Sequence, residues 1–238
     1  MELGFYTDFI APHMNVLAIL AALDYRDRTG KGQHLDVSQF EAGAHFLSPL
    51  FLDYEVNKKV ANRLGNECEE MAPHAIYRCK GDDRWVAIAV QNDAEWQSFS
   101  SVTGEFSWAS DAKFSTFRRR KAHEEELNRL IERWTIGDTP ENIMTFLQNR
   151  GIAAGVVQNP RDLLEKDPQL KSRGFFQKLS HPAVGTYTAM RPYFQLSKSV
   201  AEVSRAPLIG EHNEYAYKNI LGLSDAEVAV LVVEGVIE

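Results

Sequence analysis

The strongest apolar signal in the chain lies near its start. From Pro12 to Arg28 no glycine and no second proline interrupts the sequence, and Gly30 and Gly32 stop it. This predicts a helix of roughly 17 residues with Pro12 in its first turn. Met14, Val16, Leu17, Ile19, Leu20 and Leu23 make that helix apolar nearly all round, a pattern suited to a helix sandwiched between other layers. The run Met14 to Leu23 contains Asn15 and is about half the ~20 residues that a membrane span requires, so it reads as part of a protein core. In Gln33 to Ser38, Leu35 and Val37 alternate with polar residues, predicting a short strand, and a helix-like stretch follows from Gln39 to about Tyr54.

The pattern then changes. Residues 56–72 are polar, with Asn57, Lys58, Lys59, Asn62, Arg63, Gly65 and Asn66 among them, and read as a linker. Beyond it, Ile76–Lys80 and Trp85–Val90 flank Gly81-Asp82-Asp83, which predicts a hairpin. Helices are expected over Asp93–Val102, Ala122–Trp134 and Pro140–Asn149, the last capped by Thr139, and a strand over Ala153–Val157. The sequence thus divides into a helical segment (1–55), a linker (56–72), a small α+β domain (73–158) and a return segment (159–238). In the last, Asp162–Glu165 reads as a short helix, Asp167–Leu170 as a loop, and Pro182, Pro192 and Pro207 mark extended, turning chain. Helices Glu214–Leu221 and Asp225–Glu234, the latter capped by Ser224, close it.

At 238 residues with 44% hydrophobic content, the chain can bury a substantial core, as one large domain or two small ones. Thirty-three acidic residues against 26 basic ones give a net charge of −7, which argues against general attraction to nucleic acid or anionic membrane and favours a small-molecule substrate. Cys68 and Cys79 lie in a chain whose opening residues do not form a signal peptide, so the reading is cytoplasmic with free thiols. Metal-ligand spacing, a Walker-type phosphate loop and a dinucleotide-binding glycine fingerprint are not found.

Four stretches carry a family resemblance. They are Tyr6-Thr7-Asp8 with the apolar helix ending in Arg26-Asp27-Arg28-Thr29-Gly30-Lys31-Gly32-Gln33; Ala72-Pro73-His74-Ala75-Ile76-Tyr77 leading to Trp85–Val90 and Trp96; Gly151–Val157 with Asp167-Pro168-Gln169-Leu170 and Arg173-Gly174; and Ala206-Pro207-Leu208-Ile209-Gly210-Glu211-His212-Asn213 with Leu221–Ser224. In this order and spacing the chain resembles the C-terminal part of the family III (CaiB/BaiF-type) coenzyme A transferases. The resemblance implies an α/β fold, with part of a Rossmann-like large domain joined to a smaller α+β domain, and two chains interlocked as a homodimer. It also implies a large N-terminal section ahead of the position matching Tyr6, supplying most CoA contacts. The expectation is therefore that the remainder sits on another polypeptide or that the large domain is incomplete.

By the same resemblance, Asp8 is the nucleophile. Near a helix N-terminus the dipole favours an anionic carboxylate, and such a group can attack a thioester. The substrates would be an acyl-CoA and a small carboxylic acid, with no permanently bound cofactor. Read alone, an aspartate at this place more often caps or flanks a helix. Asn66 and His74 bound a loop that in several transferases is glycine-rich and closes over the site; here it reads Asn66-Glu67-Cys68-Glu69-Glu70-Met71-Ala72-Pro73-His74, and a solvated linker is as good a reading as a substrate-contacting loop. A related racemase branch needs an acid where Asn92 stands, which favours transferase, while a non-catalytic fragment or subunit is the other alternative. His212 is expected to start a helix, Cys79 to be a buried small hydrophobe, and Arg118-Arg119-Arg120-Lys121 to form a solvated helix face in preference to a phosphate site.

Overall fold

The computed structural model describes residues 6–102 and 106–237. Helix α1 (Tyr6–Thr29) is 24 residues long. It begins at Tyr6, so Pro12 lies inside the helix and not in its first turn. Pro12 has no N–H to give the carbonyl four residues back, which is that of Asp8. Only Ala11 of α1 is buried, and Leu17 and Leu20 are 64% and 58% exposed. The expected sandwiching is therefore not present among the described residues: α2 (Gln39–His45) is the element chiefly packed on α1. By length and composition alone α1 could also cross a membrane, a point the shorter Met14–Leu23 run does not show.

Gln33–Ser38 is not a strand. No described strand lies beside it to complete a ladder, and Ser38 instead caps α2, its hydroxyl accepting the Glu41 N–H at 3.2 Å. The helix expected to run on to Tyr54 is two, because Pro49 begins a new one, α3 (Ser48–Asn57). Residues 58–73 contain neither helix nor strand.

The best-packed part of the chain follows. Strands β1 (His74–Arg78), β2 (Trp85–Ala89) and β3 (Ala153–Val156) form an antiparallel sheet with β2 central, in register Ile76↔Ala87↔Gly155. Alternation sends Val86 and Ile88 of β2 to one face. There they join Tyr77, Trp96, Phe99, Leu127, Ile131 and Leu147, which come partly from α4 (Asp93–Val102), α6 (Glu124–Thr135) and α7 (Pro140–Gln148). The predicted Ala122–Trp134 helix is broken at His123, with α5 (Phe117–Ala122) before it. After α8 (Pro160–Glu165), Asp167 caps a short α9 (Pro168–Ser172) where a loop is expected. The extended region that follows contains an unforeseen hairpin, β4 (Phe176–His181) with β5 (Gly185–Met190). A π-helical turn, Tyr215–Ile220, and α10 (Asp225–Val233), with its Ser224–Glu227 capping box, end the chain.

Two arginines fasten this architecture. Arg120 is fully buried, not on a solvated face as the sequence suggests. Its guanidinium donates to the Ala72 carbonyl at 2.7 Å, the Phe114 carbonyl at 3.3 Å and Asp93 Oδ1 at 2.8 Å, and it lies 4.9 Å from the Trp96 ring centroid. Burial lowers its pKa, against the opposing pull of Asp93. Arg84, just after the β1–β2 turn, pairs with Asp162 of α8 and Glu141 of α7, and Lys166 adds a contact to Asp162 at 3.1 Å. The Asp162 side chain is 5% exposed, and Arg84 chiefly holds its carboxyl at about 2, below the ordinary 3.8.

Arg120→Met should destabilise the chain by about 3 kcal/mol in urea unfolding, since two buried carbonyls lose their donor along with the pair to Asp93; a change under 1 kcal/mol would contradict the clamp. Asp162 has a folded pKa below its unfolded one, so its stabilisation is present in full above pH 4 and is lost as pH falls toward 2. The stability gap between wild type and Asp162→Asn should accordingly be widest at pH 7 and shrink steadily as pH falls from 4 through 2; a gap independent of pH would refute this assignment.

Candidate active site

Asp8 lies in the first turn of α1, inside the helix and not ahead of it, with an exposed side chain. One amide nitrogen orients it. Gln39 Nε2, at the first residue of α2, donates to Asp8 Oδ1 through a short bond and to Thr7 Oγ1 at 3.0 Å. Oδ2 has no hydrogen-bond partner among the described residues. The seam that makes this possible depends on Gly43, one turn further along α2. A Cβ there would come within 2.7 Å of Thr7 Cγ2, so the absence of a side chain lets α2 approach α1 beside Asp8. Ala42 and Ala11 are buried close by in sequence.

A second tie joins α1 to the return segment. The His13 ring lies 3.0 Å through Nε2 from the Tyr193 hydroxyl and 2.7 Å through Nδ1 from the Phe9 carbonyl. Tyr193 is thereby held beside the helix that carries Asp8.

The two loop residues singled out in sequence come together. His74 Nδ1 is 2.8 Å from the Asn66 carbonyl, and both line a cavity of about 420 Å³ over the open face of the sheet, floored by Ala87, Ala89, Ala153 and Gly155. Among the described residues no hydrogen bond links this pair to Asp8. The intervening loop is fastened by two residues of the basic run, Lys121 Nζ donating to the Cys68 carbonyl at 2.9 Å and Arg120 to that of Ala72, and separately by Lys59, which pairs with Glu69. Two members of the run thus hold a loop instead of facing solvent.

Other singled-out residues have structural places. Asn92 caps α4, its Oδ1 accepting the Glu95 N–H at 2.9 Å. Cys79 is buried, and burial pushes its thiol to about 11. The carbonyl of His212 accepts the Ala216 N–H at 2.9 Å as the π-helical turn begins, and the neighbouring Glu211 is held at about 2, chiefly by Arg205. Gln39, Gly43 and the His13–Tyr193 pair are not visible in sequence, where they are separated from their partners by tens of residues.

The family model for CoA-transferase family III matches residues 4–213. A probable CoA-transferase from Mycobacterium tuberculosis is 33% identical over 235 residues, covering 97% of this chain and 29% of that protein. Succinyl-CoA–D-citramalate CoA-transferase from Chloroflexus aurantiacus is 27% identical, covering 97% and 57%. The crystal structure of a CaiB/BaiF family protein from Brucella suis superposes with a TM-score of 0.78 at 28% identity, over 92% of this chain and 56% of the other. The chain therefore spans between about a third and somewhat over half of these relatives' lengths.

Gly43→Ala tests the seam. Alanine gains up to about 1 kcal/mol of helix propensity, but overpacking against the stiff β-branched Thr7 costs about 1–3 kcal/mol. The expected outcome is a small net loss of stability, with the Gln39 side-chain amide resonances moving to free-amide positions in NMR spectra. Unmoved resonances would show that Gln39 does not depend on this approach.

Proposed function

The chain belongs to CoA-transferase family III, and on that premise we propose that Asp8 is the group through which it passes CoA from an acyl-CoA to a small carboxylic acid. The observation that carries this is the held carboxylate: one oxygen bound by Gln39, the other without a hydrogen-bond partner among the described residues, at the helix terminus within the matched region. The Asp8 carboxylate attacks the thioester carbonyl, forming a mixed anhydride and expelling CoA thiolate. The thiolate attacks the aspartyl carbonyl, releasing the donor acid and leaving an aspartyl-CoA thioester. The acceptor carboxylate attacks that thioester, and the thiolate expelled then takes the acceptor's acyl group, regenerating Asp8. Each aspartyl step places negative charge on an aspartyl oxygen, and Gln39 Nε2, already bound to Oδ1, is in place to donate to it.

The relatives' names supply substrate pairs to try, succinyl-CoA with D-citramalate and formyl-CoA with oxalate. The racemase alternative is disfavoured because Asn92, where that branch needs an acid, is engaged in capping α4. The exposed apolar surface of α1 to α3, including Leu17, Leu20, Phe51 and Leu52, is the face on which the rest of such a fold would pack, in the same polypeptide or in a second copy. The free cysteines support a reducing, cytoplasmic setting.

The test is CoA exchange between these donors and acids, followed by chromatography. Asp8→Asn should abolish transfer, and Gln39→Leu should lower kcat roughly tenfold to a hundredfold with less effect on KM. Full transfer by Asp8→Asn would exclude the assignment. No transfer by the wild type with any pair would favour a subunit that requires another chain.

A further inference from the structure

A cavity of about 320 Å³ lies away from the loop pair, between the start of the β4–β5 hairpin and the chain that leaves it. Arg173 and Arg191 line one side, and Phe175, Phe194, Leu196 and Val200 supply apolar walls. The backbone builds the charged side. The Arg191 N–H donates to the Phe175 carbonyl at 2.8 Å, extending the β4–β5 ladder by one step. Gly174, at φ +58°, turns the chain between Arg173 and Phe175, and a Cβ there would lie 3.7 Å from Arg191 Nη1, so Arg191 lies across the bare glycine. Arg173 Nη2 donates to the Tyr193 carbonyl at 3.1 Å, and Gln195 Nε2 donates back to the Arg173 carbonyl at 3.3 Å.

Among the described residues neither arginine has a carboxylate within ion-pair distance, in a chain with seven more acidic than basic residues. Two guanidinium groups lining one cavity, each a planar fork of donors matched to carboxylate geometry, together favour an anion there. We propose that this cavity is a binding site for a small organic carboxylate carrying an apolar tail, the carboxylate held by Arg173 and Arg191 and the tail against Phe175 and Phe194. The volume is at the small end for ligand pockets, about 300–1,000 Å³, which suits such an acid better than a nucleotide. Phosphate shares the charge but gains nothing from the apolar walls. The site is independent of the role given to Asp8.

Titration calorimetry of the chain with phenylacetate, its neutral counterpart 2-phenylethanol and inorganic phosphate decides the matter. Phenylacetate should bind at least about tenfold more tightly than either of the others, and Arg191→Met should remove that advantage. Arg173→Met should weaken phenylacetate in the same direction, and unchanged melting temperatures would show both variants folded. Phenylacetate binding that both variants retain, or that is no tighter than phosphate or 2-phenylethanol, would overturn the proposal.

Discussion

The approach of α2 to the first turn of α1 is the constraint from which the functional geometry follows. Gly43 leaves room for Thr7, and that closeness lets the Gln39 amide span Thr7 and Asp8. Without it, Asp8 would be one exposed aspartate among several, free to sample its rotamers. With it, one carboxylate oxygen of an exposed side chain has a fixed donor. Pro12 adds a backbone consequence, since its ring removes the N–H that would otherwise bond the Asp8 carbonyl. The turn that carries the candidate nucleophile thus lacks one bond of its own ladder and gains a tie to a partner helix.

A different device organises the small sheet and its helices. The core there is ordinary apolar packing, but the loop leading into β1 is held by charge. Arg120 gives up most of its hydration to bind Ala72, Phe114 and Asp93, and Lys121 holds Cys68. A buried arginine is costly unless its donors are used, and here three are. The loop between Asn66 and His74, glycine-rich in several transferases, is in this chain fastened from behind by an α5 basic run. The open face over Ala87 and Ala153 lies beside Asn66 and His74, the two ends of this loop.

Much of this was legible in the sequence where local chemistry decides the outcome. The Gly81–Asp83 turn between β-prone runs, α4 from Asp93 to Val102, and the capped starts at Thr139 and Ser224 all follow from residues adjacent in the chain. Asp8 is singled out only by family resemblance, because nothing local separates it from a capping aspartate. The failures share a cause: long-range partners. Leu35 and Val37 alternate as a strand does but have no neighbouring strand. Arg120 lies in a basic run that reads as solvated, and its burial depends on Ala72, 48 residues away. Gln39 is 31 residues from Asp8, and its role becomes visible only when two helices meet.

The most direct measurement of the central claim is peptide mass spectrometry after incubating the chain with an acyl-CoA and quenching in hydroxylamine, which attacks an activated aspartyl carbonyl and leaves a stable hydroxamate. A hydroxamate on Asp8, dependent on acyl-CoA, is the expected result. A hydroxamate on another carboxylate, with Asp8 unmodified, would contradict it.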